Sequence, residues 1–468
     1  MTKRGGQAST KPPSGTRDFL PDDVLRRRYV VGVVESVYEQ YGFAPIETPA
    51  FENLSTLLGK YGEEGDKLLF RLLLRGEALR EALGAAEGEV GQADLADLGL
   101  RYDLTVPLAR VVAQYSALPR FFKRYQIQPV WRADRPGRGR YREFYQCDVD
   151  IVGTDSLTAE AEVCAAVVQV LERLGFSELS LRINHRGLLR GMIGRAGIDD
   201  AMEQSALVAL DKLDKLGADG VTRELAERGV SERAARTLLD LTAGGGEGTS
   251  EESADKLAHL ESELSSDPGA SALRDVRELW DLLAATPAGK YARFSPELAR
   301  GLSYYTGPIF EIGVEDLAGS LGGGGRYDEL VGMFGKRAVP AVGCSLGLER
   351  ILLVMHERGM YPPLSAGPQV MVCWFGVAPA RALEIGHALR AQGLKVEVYP
   401  QQAKLGKQLQ YADDPGVRAP LAAIVGEDEL ERGELTLKHL ASGAQQRVAL
   451  SRAGDLARDW LDSPPSAG

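Results

Sequence analysis

Apolar residues recur at helical spacing through Val30, Val33, Val34, Val37, Tyr38 and Tyr41, behind Asp22 and Asp23, which can cap a helix, and ahead of Gly42, which can end it. The stretch Ala44 to Phe51 carries Pro45 and Pro49 and reads as extended. A polar interval rich in Glu and Gly, Gly76 to Asp97, separates it from Leu100 to Arg110. Strand-like patterning then predicts an antiparallel hairpin: Arg124 to Arg132 runs out, a Gly/Arg turn lies at Pro136 to Gly139, and Glu143 to Val152 returns. Residues 157–175 predict a helix and Leu179 to Asn184 a short strand.

From about Gly187 to Pro287 the chain turns rich in Ala, Leu, Glu, Lys and Asp with helical periodicity, which predicts an inserted helical module broken by a flexible stretch at Ala243 to Ser250. Strand chemistry returns at Pro308 to Val314, followed by the glycine run Gly322 to Gly325 and an apolar helix around Leu346 to His356. Tyr361 to Pro368 reads as a linker. Beyond it, Val370 to Trp374, Ala378 to Ala391, Lys395 to Tyr399, Leu405 to Ala412 and Leu421 to Val425 alternate strand and helix, predicting a separate α/β domain with a partly parallel sheet.

Composition narrows the class. A chain of 468 residues, 44% hydrophobic and 26% charged, is an ordinary globular one of about two to four domains. Cys147, Cys164, Cys344 and Cys373 lie far apart with no C-x-x-C pair, which fits a reducing cytoplasm better than a disulfide framework or a zinc site. Met1 to Gly15 is basic and rich in Pro, Ser and Gly but lacks the apolar centre of a signal peptide, and no apolar run approaches the roughly 20 residues of a membrane span. The net charge of −11 argues against a polyanionic partner until its distribution is considered. Between Arg120 and Arg142 eight basic residues face only Asp134, so an acidic protein can still present a positive cleft.

Neither a G-x-G-x-x-G nor a G-x-x-x-x-G-K-[ST] pattern occurs. The four glycines before Arg326-Tyr327-Asp328 are either a flexible turn or a strand on which substrate lies against bare backbone. Arg132, Arg140, Arg300, Arg326 and Arg350 stand beside Gly or aromatic residues. Each alone reads as a surface or salt-bridge residue, but together they suit a triphosphate or acyl phosphate, which a planar guanidinium grips with two hydrogen bonds. Asp103, Glu143, Asp148 and Asp150 flank the hairpin as exposed strand charges, as partners of the arginines or as pocket lining; alternation sets Gln146, Asp148 and Asp150 on one face. Tyr304 and Tyr305 point to opposite faces if extended, and His185 with the other four histidines forms no metal-spaced cluster.

Taken in order and spacing, these segments resemble the histidyl-tRNA synthetases of class II. The resemblance rests on Gly15-Thr16-Arg17-Asp18-Phe19-Leu20-Pro21, Leu100-Arg101-Tyr102-Asp103-Leu104-Thr105-Val106-Pro107, Trp131-Arg132, Gly139-Arg140-Tyr141-Arg142-Glu143-Phe144-Tyr145-Gln146, Arg300-Gly301-Leu302-Ser303-Tyr304-Tyr305-Thr306-Gly307, Gly324-Gly325-Arg326-Tyr327-Asp328 and Gly347-Leu348-Glu349-Arg350, and it spans roughly Gly15 to Leu450. It implies an α+β fold: a class II catalytic core on an antiparallel sheet (residues 15–186 and 291–360) after a flexible tail (1–14), a helical insertion (187–290), a linker (361–368) and a C-terminal α/β anticodon-binding domain (369–468) marked by Leu405 to Ala412. Pro49 matches the first motif of the class, which in the family forms a dimer interface, so a homodimer is expected.

The implied activity is ATP-dependent ligation of L-histidine to tRNA(His) through a histidyl-adenylate, with Mg²⁺ accompanying ATP. Residue by residue, the resemblance gives Arg132 and Arg350 to the phosphates of ATP, Arg140 to ATP as well, and Arg300 to the α-phosphate. It assigns Asp103, Thr105, Gln146, Asp150, Tyr304, Tyr305 and Tyr327, with Arg132 and Arg300, to the histidine pocket, Asp103 and Gln146 near the α-ammonium and Asp150 with a tyrosine near the imidazole. Arg135 and Arg138, in the hairpin loop, are expected at the tRNA acceptor end. Two features depart from the form seen in many family members, Ser303 replacing an acidic residue and Tyr102-Asp103-Leu104-Thr105 replacing Pro-Glu-Gly-Thr, and Asp150 replaces a longer Glu of some relatives. Two other classes stand beside the enzyme. A histidine-sensing regulatory subunit of ATP phosphoribosyltransferase would lack the C-terminal domain and tend to lose phosphate-binding residues, and an RNA-binding module would keep RNA binding without ATP.

Overall fold

In the segment Glu143–Val152 every second side chain is apolar: Cys147, Val149 and Ile151 face a core, while Gln146, Asp148 and Asp150 face the other way, and the first unit of the molecule is arranged around that division. The computed structural model describes residues 9–61, 65–84, 91, 94–243, 250–264, 269–299, 304–314, 319–335 and 337–466. These fall into two units, Met1–Asp18 with Arg27–Tyr361, and Phe19–Arg26 with Pro362–Gly468.

The strands of the first unit are β1 (Ala44–Pro45), β2 (Phe51–Asn53), β3 (Arg71–Leu73), β4 (Ala96–Leu100), β5 (Phe122–Trp131), β6 (Glu143–Val152), β7 (Ser180–His185), β8 (Ala292–Phe294), β9 (Pro308–Gly313), β10 (Gly322–Arg326) and β11 (Ala341–Gly347). Eight of them form one sheet in the order β1-β5-β6-β11-β10-β9-β7-β8, and β2-β4-β3 form a small separate one. The six central strands of the large sheet pair antiparallel, and only the short edges β1 and β8 pair parallel to their neighbours. The expected hairpin is present as β5 and β6, paired along ten residues from Phe122 opposite Val152 to Trp131 opposite Glu143. The glycine run is a strand and not a turn. A Cβ on Gly324 would stand 2.0 Å from the carbonyl oxygen of Gly343, so only glycine lets β10 lie so close to β11.

One face of this sheet is apolar. It packs on helix Pro21–Gln40 through Val30, Val34, Val37 and Tyr38, on helix Thr158–Arg173, and on helix Leu348–Glu357. Asp22 and Asp23 lie in the first turn of a helix that already begins at Pro21, where they complement the dipole instead of capping. Between β7 and β8 the chain forms helices that include Arg186–Arg195, Glu203–Leu210, Glu232–Thr242 and Gly269–Ala284, with a core of their own around Leu188, Leu207, Leu238 and Val276. The expected break at Ala243 to Ser250 lies largely outside the described residues, as does most of the N-terminal tail.

The polar interval Gly76 to Asp97 holds more structure than its composition suggests. Leu79 and Leu83, four residues apart among good helix formers, lie in a helix Gly76–Gly84, and the interval ends inside β4.

In the second unit β12 (Val370–Trp374), β13 (Val396–Val398), β14 (Leu421–Val425), β15 (Glu434–His439) and β16 (Gln445–Ala449) make a five-stranded sheet in the order β13-β12-β14-β15-β16. β12 pairs parallel with both neighbours, and the last two strands add antiparallel. Val370 and Val372 enter one apolar cluster and Met371 and Cys373 another, so the sheet is covered on both faces. Gln408 pins helix Leu405–Ala412 to β12: its amide donates to the carbonyls of Trp374 (2.7 Å) and Ala403 (2.8 Å), and its oxygen accepts from the N–H of Trp374 (2.9 Å). All four cysteines are buried free thiols. Among the described residues no helix is long and apolar enough to cross a membrane.

Candidate active site

The second face of the large sheet is polar because register aligns polar or side-chain-free residues across it. Gln146, Asp148 and Asp150 of β6 stand opposite Gln128, Gln126 and Arg124 of β5 on one side and Gly347, Ser345 and Gly343 of β11 on the other. Beyond β11 the row continues over Gly323 and Gly325 of β10 to Glu311 and Ile309 of β9. A Cβ on Gly343 would fall 1.9 Å from Asp150 Oδ1, so glycine there is what makes room for the carboxylate. Two cavities open on this floor.

The smaller, of about 140 Å³, gathers Asp103, Thr105, Arg132, Gln146, Asp150, Tyr304, Tyr305 and Tyr327, which are the residues expected of the amino-acid pocket, together with Asp148 and Ser345. Asp103 precedes helix Thr105–Gln114. Its Oδ1 accepts from the N–H of Val106 (3.0 Å) and the hydroxyl of Tyr61 (3.2 Å), and its Oδ2 from the hydroxyl of Tyr304 (3.2 Å). Burial pushes its carboxyl above the usual range, against those hydrogen bonds and the charge of Arg132. Asp150 is held by Arg124 Nη2 at 2.7 Å and by the hydroxyl of Tyr327. Burial also raises Asp148 and Asp150, while the fully buried Arg124 guanidinium between them pulls both back down. The amide of Gln146 donates to Ser345 Oγ at 2.7 Å, and its Oε1 is buried with no partner among the described residues. Tyr304 packs edge-on to Tyr305 and Tyr327, with ring centroids 5.1 and 6.0 Å apart. Burial raises all three phenols, which stay neutral donors.

The larger cavity, of about 520 Å³, shares Arg132, Gln146, Tyr305, Gly323 and Ser345 with the first, so the two adjoin. Such a volume lies within the range of small-molecule sites, roughly 300–1,000 Å³. Arg132 stands at the junction, its guanidinium over the rings of Tyr102 (4.2 Å) and Phe144 (5.1 Å). Its Nε donates to the carbonyl of Tyr102 at 3.0 Å, which orients the fork and leaves the Nη groups without a hydrogen-bond partner among the described residues. Arg350, from helix Leu348–Glu357, also lines the cavity and donates to the carbonyl of Ser320 at 2.6 Å. Arg140 lies at the rim in a two-pronged pair with Asp134 (2.9 and 3.1 Å), exposed enough that an anion could displace it at small cost. Glu349, beside Arg350 on the lining, accepts from the N–H of Tyr145 at 2.9 Å, and burial lifts its carboxyl to about 7.

The structure does not gather every expected residue. Arg135 and Arg138 are exposed in the β5–β6 loop and line neither cavity; Arg138 pairs with Glu357 at 2.6 Å. Arg326, grouped by sequence with the phosphate-binding arginines, is instead a buried structural residue. Its Nη2 donates to Glu160 at 2.7 Å and its Nη1 to Asp328 at 3.2 Å. Arg300 and Ser303 lie outside the described residues. Sequence reasoning passed over Ser345 and Glu349, although alternation along β11 puts Ser345 on the face of Gly343 and Gly347. Among the described residues no three His, Cys, Asp or Glu side chains are placed to hold a metal ion.

Such an arrangement suits a small zwitterion in the inner cavity and a larger polyanion in the outer one, with Arg132 where they meet. The family model for histidyl-tRNA synthetase matches residues 90–351, and a model for an anticodon binding domain matches residues 369–460. The histidine–tRNA ligase of Christiangramia forsetii is 40% identical over 448 residues, covering 93% of this chain and 96% of that protein. That of Bacteroides fragilis is 43% identical with the same coverage. The crystal structure of histidyl-tRNA synthetase from a Nostoc species superposes with a TM-score of 0.78 at 30% identity, covering 97% of this chain and all of that one.

Proposed function

Since this chain belongs to the histidyl-tRNA synthetase family, we propose that its joined cavities carry out ATP-dependent ligation of L-histidine to tRNA(His) through a histidyl-adenylate. The observation that carries this reading is the adjacency of the two cavities at Arg132. A histidine in the inner cavity turns its carboxylate toward the junction, and ATP in the outer one brings its α-phosphorus there. Attack of one anion on another then needs a fixed cation at the meeting point. The carboxylate oxygen bonds to the α-phosphorus and pyrophosphate leaves; a terminal ribose hydroxyl of tRNA then takes the acyl group and AMP leaves. No protein nucleophile takes part.

In this proposal Arg132 bridges the histidine carboxylate and the α-phosphate, Arg350 and Arg140 hold the outer phosphates, and Arg300 reaches the α-phosphate from the segment before Tyr304. Asp103, Thr105 and Gln146 receive the α-ammonium, the unpartnered Gln146 Oε1 being a ready acceptor, and Tyr304, Tyr305, Tyr327 and Asp150 enclose the ring. Mg²⁺ enters with ATP as part of the substrate. Arg135 and Arg138, exposed in the loop of the basic hairpin, meet the acceptor end of the tRNA, and residues 369–460 read its anticodon. A second copy of the chain and a cytoplasmic location complete the proposal; large apolar side chains on the small sheet, Phe51 at 51% and Leu73 at 63% exposure, supply surface for such a contact. The matched anticodon domain favours the ligase over a histidine-sensing subunit without chemistry.

ATP–pyrophosphate exchange with each of the twenty amino acids is the direct test. Histidine alone is expected to support it, and failure of histidine to do so would remove the proposal.

A further inference from the structure

We propose that Asp148 contacts the bound amino acid, its Oδ1 accepting the N–H of the imidazole ring, and so helps to decide that the inner cavity takes histidine. This rests on the reading of that cavity as the histidine site.

Asp148 is 2% exposed and lines the inner cavity between Gln146 and Asp150 on the same strand face. The other carboxylates there are already occupied. Asp103 receives Tyr61, Tyr304 and the N–H of Val106, and Asp150 receives Tyr327 on Oδ1 and pairs by charge with Arg124 Nη2, 2.7 Å from Oδ2. Asp148 has Arg124 Nη2 at 3.8 Å on the side of Oδ2, whereas its Oδ1 is buried without a hydrogen-bond donor among the described residues. The charge of Arg124 and the hydroxyl of Ser345 offset part of the cost of burying this carboxylate, and a donor that arrives with the occupant satisfies Oδ1 as well.

Histidine brings donors at two ends, the α-ammonium and one ring nitrogen. Asp150 Oδ2 is ion-paired with Arg124; apart from it, the floor offers two acceptors with no hydrogen-bond partner among the described residues, Gln146 Oε1 and Asp148 Oδ1, on residues two apart in one strand and therefore roughly 7 Å apart along it. Charge agrees with this assignment. Asp103, Asp148 and Asp150 set three carboxyl groups against two guanidinium groups, Arg124 and Arg132, an acidic lining that suits a ligand carrying an ammonium and a protonatable ring. Burial raises the carboxyl of Asp148, as expected where the counter-charge comes with the ligand. A site whose acceptor is satisfied only by a ring N–H also rejects amino acids that lack one.

The test measures Michaelis constants for histidine and for ATP in pyrophosphate exchange, with the full chain, for the parent, Asp148→Asn and Gln146→Ala. In Asp148→Asn the Arg124 guanidinium keeps the remaining oxygen on its own side, so the amide presents N–H where Oδ1 stood and meets the ring N–H donor to donor. The expected result is a rise of about tenfold or more in the histidine constant, with the ATP constant and the thermal midpoint unmoved. An unchanged histidine constant in Asp148→Asn, alongside a raised one in Gln146→Ala, would remove Asp148 from the contact and leave the cavity in place. No change in either variant would overturn the cavity reading and this proposal with it. A joint rise of both constants with a lower midpoint would reduce Asp148 to a support for Arg124 and defeat the proposal. If Asp148→Asn does not fold, Asp148→Ser, which is smaller and uncharged, is read in the same way.

Discussion

Arg132 is the residue on which the two halves of the proposed reaction meet, and its context explains why lysine cannot stand in for it. The plane of its guanidinium is set by Tyr102 and Phe144 and its Nε is spent on a carbonyl, so the remaining fork is aimed before any substrate binds. Arg132→Lys keeps the charge but loses the plane and the fork, and kcat for pyrophosphate exchange is expected to fall by roughly 10²–10³-fold, with a smaller change in the ATP Michaelis constant. Activity close to that of the parent would show that charge alone suffices. The arginines were legible in the sequence as a group because each stands beside Gly or an aromatic residue, yet that signal could not separate Arg132 from Arg326. What distinguishes Arg326 is Glu160, 166 positions earlier in the chain, which becomes its neighbour only through the fold. The carboxylates of the hairpin were likewise readable as one face, but which oxygen would be left without a donor depended on Arg124 from β5 and Tyr327 from the end of β10.

Elements were easier to read than their environments. Alternation in Arg124–Arg132 and Glu143–Val152 carries the hairpin, and helical spacing carries Thr158–Arg173, because both patterns are local. The glycine run was not decidable in this way, since a residue without a side chain has no face to alternate; only the pairing of β10 with β9 and β11 makes it a strand. β11 contributes its own glycine, Gly343, directly beneath Asp150. Gly343→Ala would drive a methyl group into the carboxylate, so the variant is expected to lose histidine binding by about two orders of magnitude or to lose the folded sheet, consistent with overpacking costs of roughly 1–3 kcal/mol or more. A folded Gly343→Ala protein with the parent's histidine affinity would show that Asp150 is free to move aside.

For the molecule as a whole, stability depends in part on a group that lines the larger cavity. Glu349 lies on the cavity lining, yet burial raises its carboxyl to about 7, so the folded state keeps this proton to a higher pH than the unfolded chain does. A raised carboxyl contributes stability that is present in full below the ordinary carboxylate range and is lost as pH climbs through 7. Glu349→Gln keeps an acceptor for the N–H of Tyr145 and cannot ionise, so between pH 5 and 8 it should lose less stability than the parent, by an amount on the order of 3 kcal/mol. Urea midpoints for loss of histidine binding at the two pH values measure this, and parallel losses would assign the pH dependence to other groups. The two-unit organisation was legible from the change of pattern after Tyr361, whereas the three-stranded sheet was not, its strands being short and separated by a polar interval. The bare backbone of Gly322–Gly325 leaves one further mark on the whole protein. Because this floor of the cavities is main chain held by two neighbouring strands, its height cannot be adjusted by rotamers, and a Cβ at Gly322, Gly324 or Gly325 would fall within 2.8 Å of a neighbouring atom. Laboratory evolution toward a bulkier amino acid therefore has chiefly the tyrosine and carboxylate walls to work with, and successful variants should accumulate there while Gly322, Gly324 and Gly325 stay untouched.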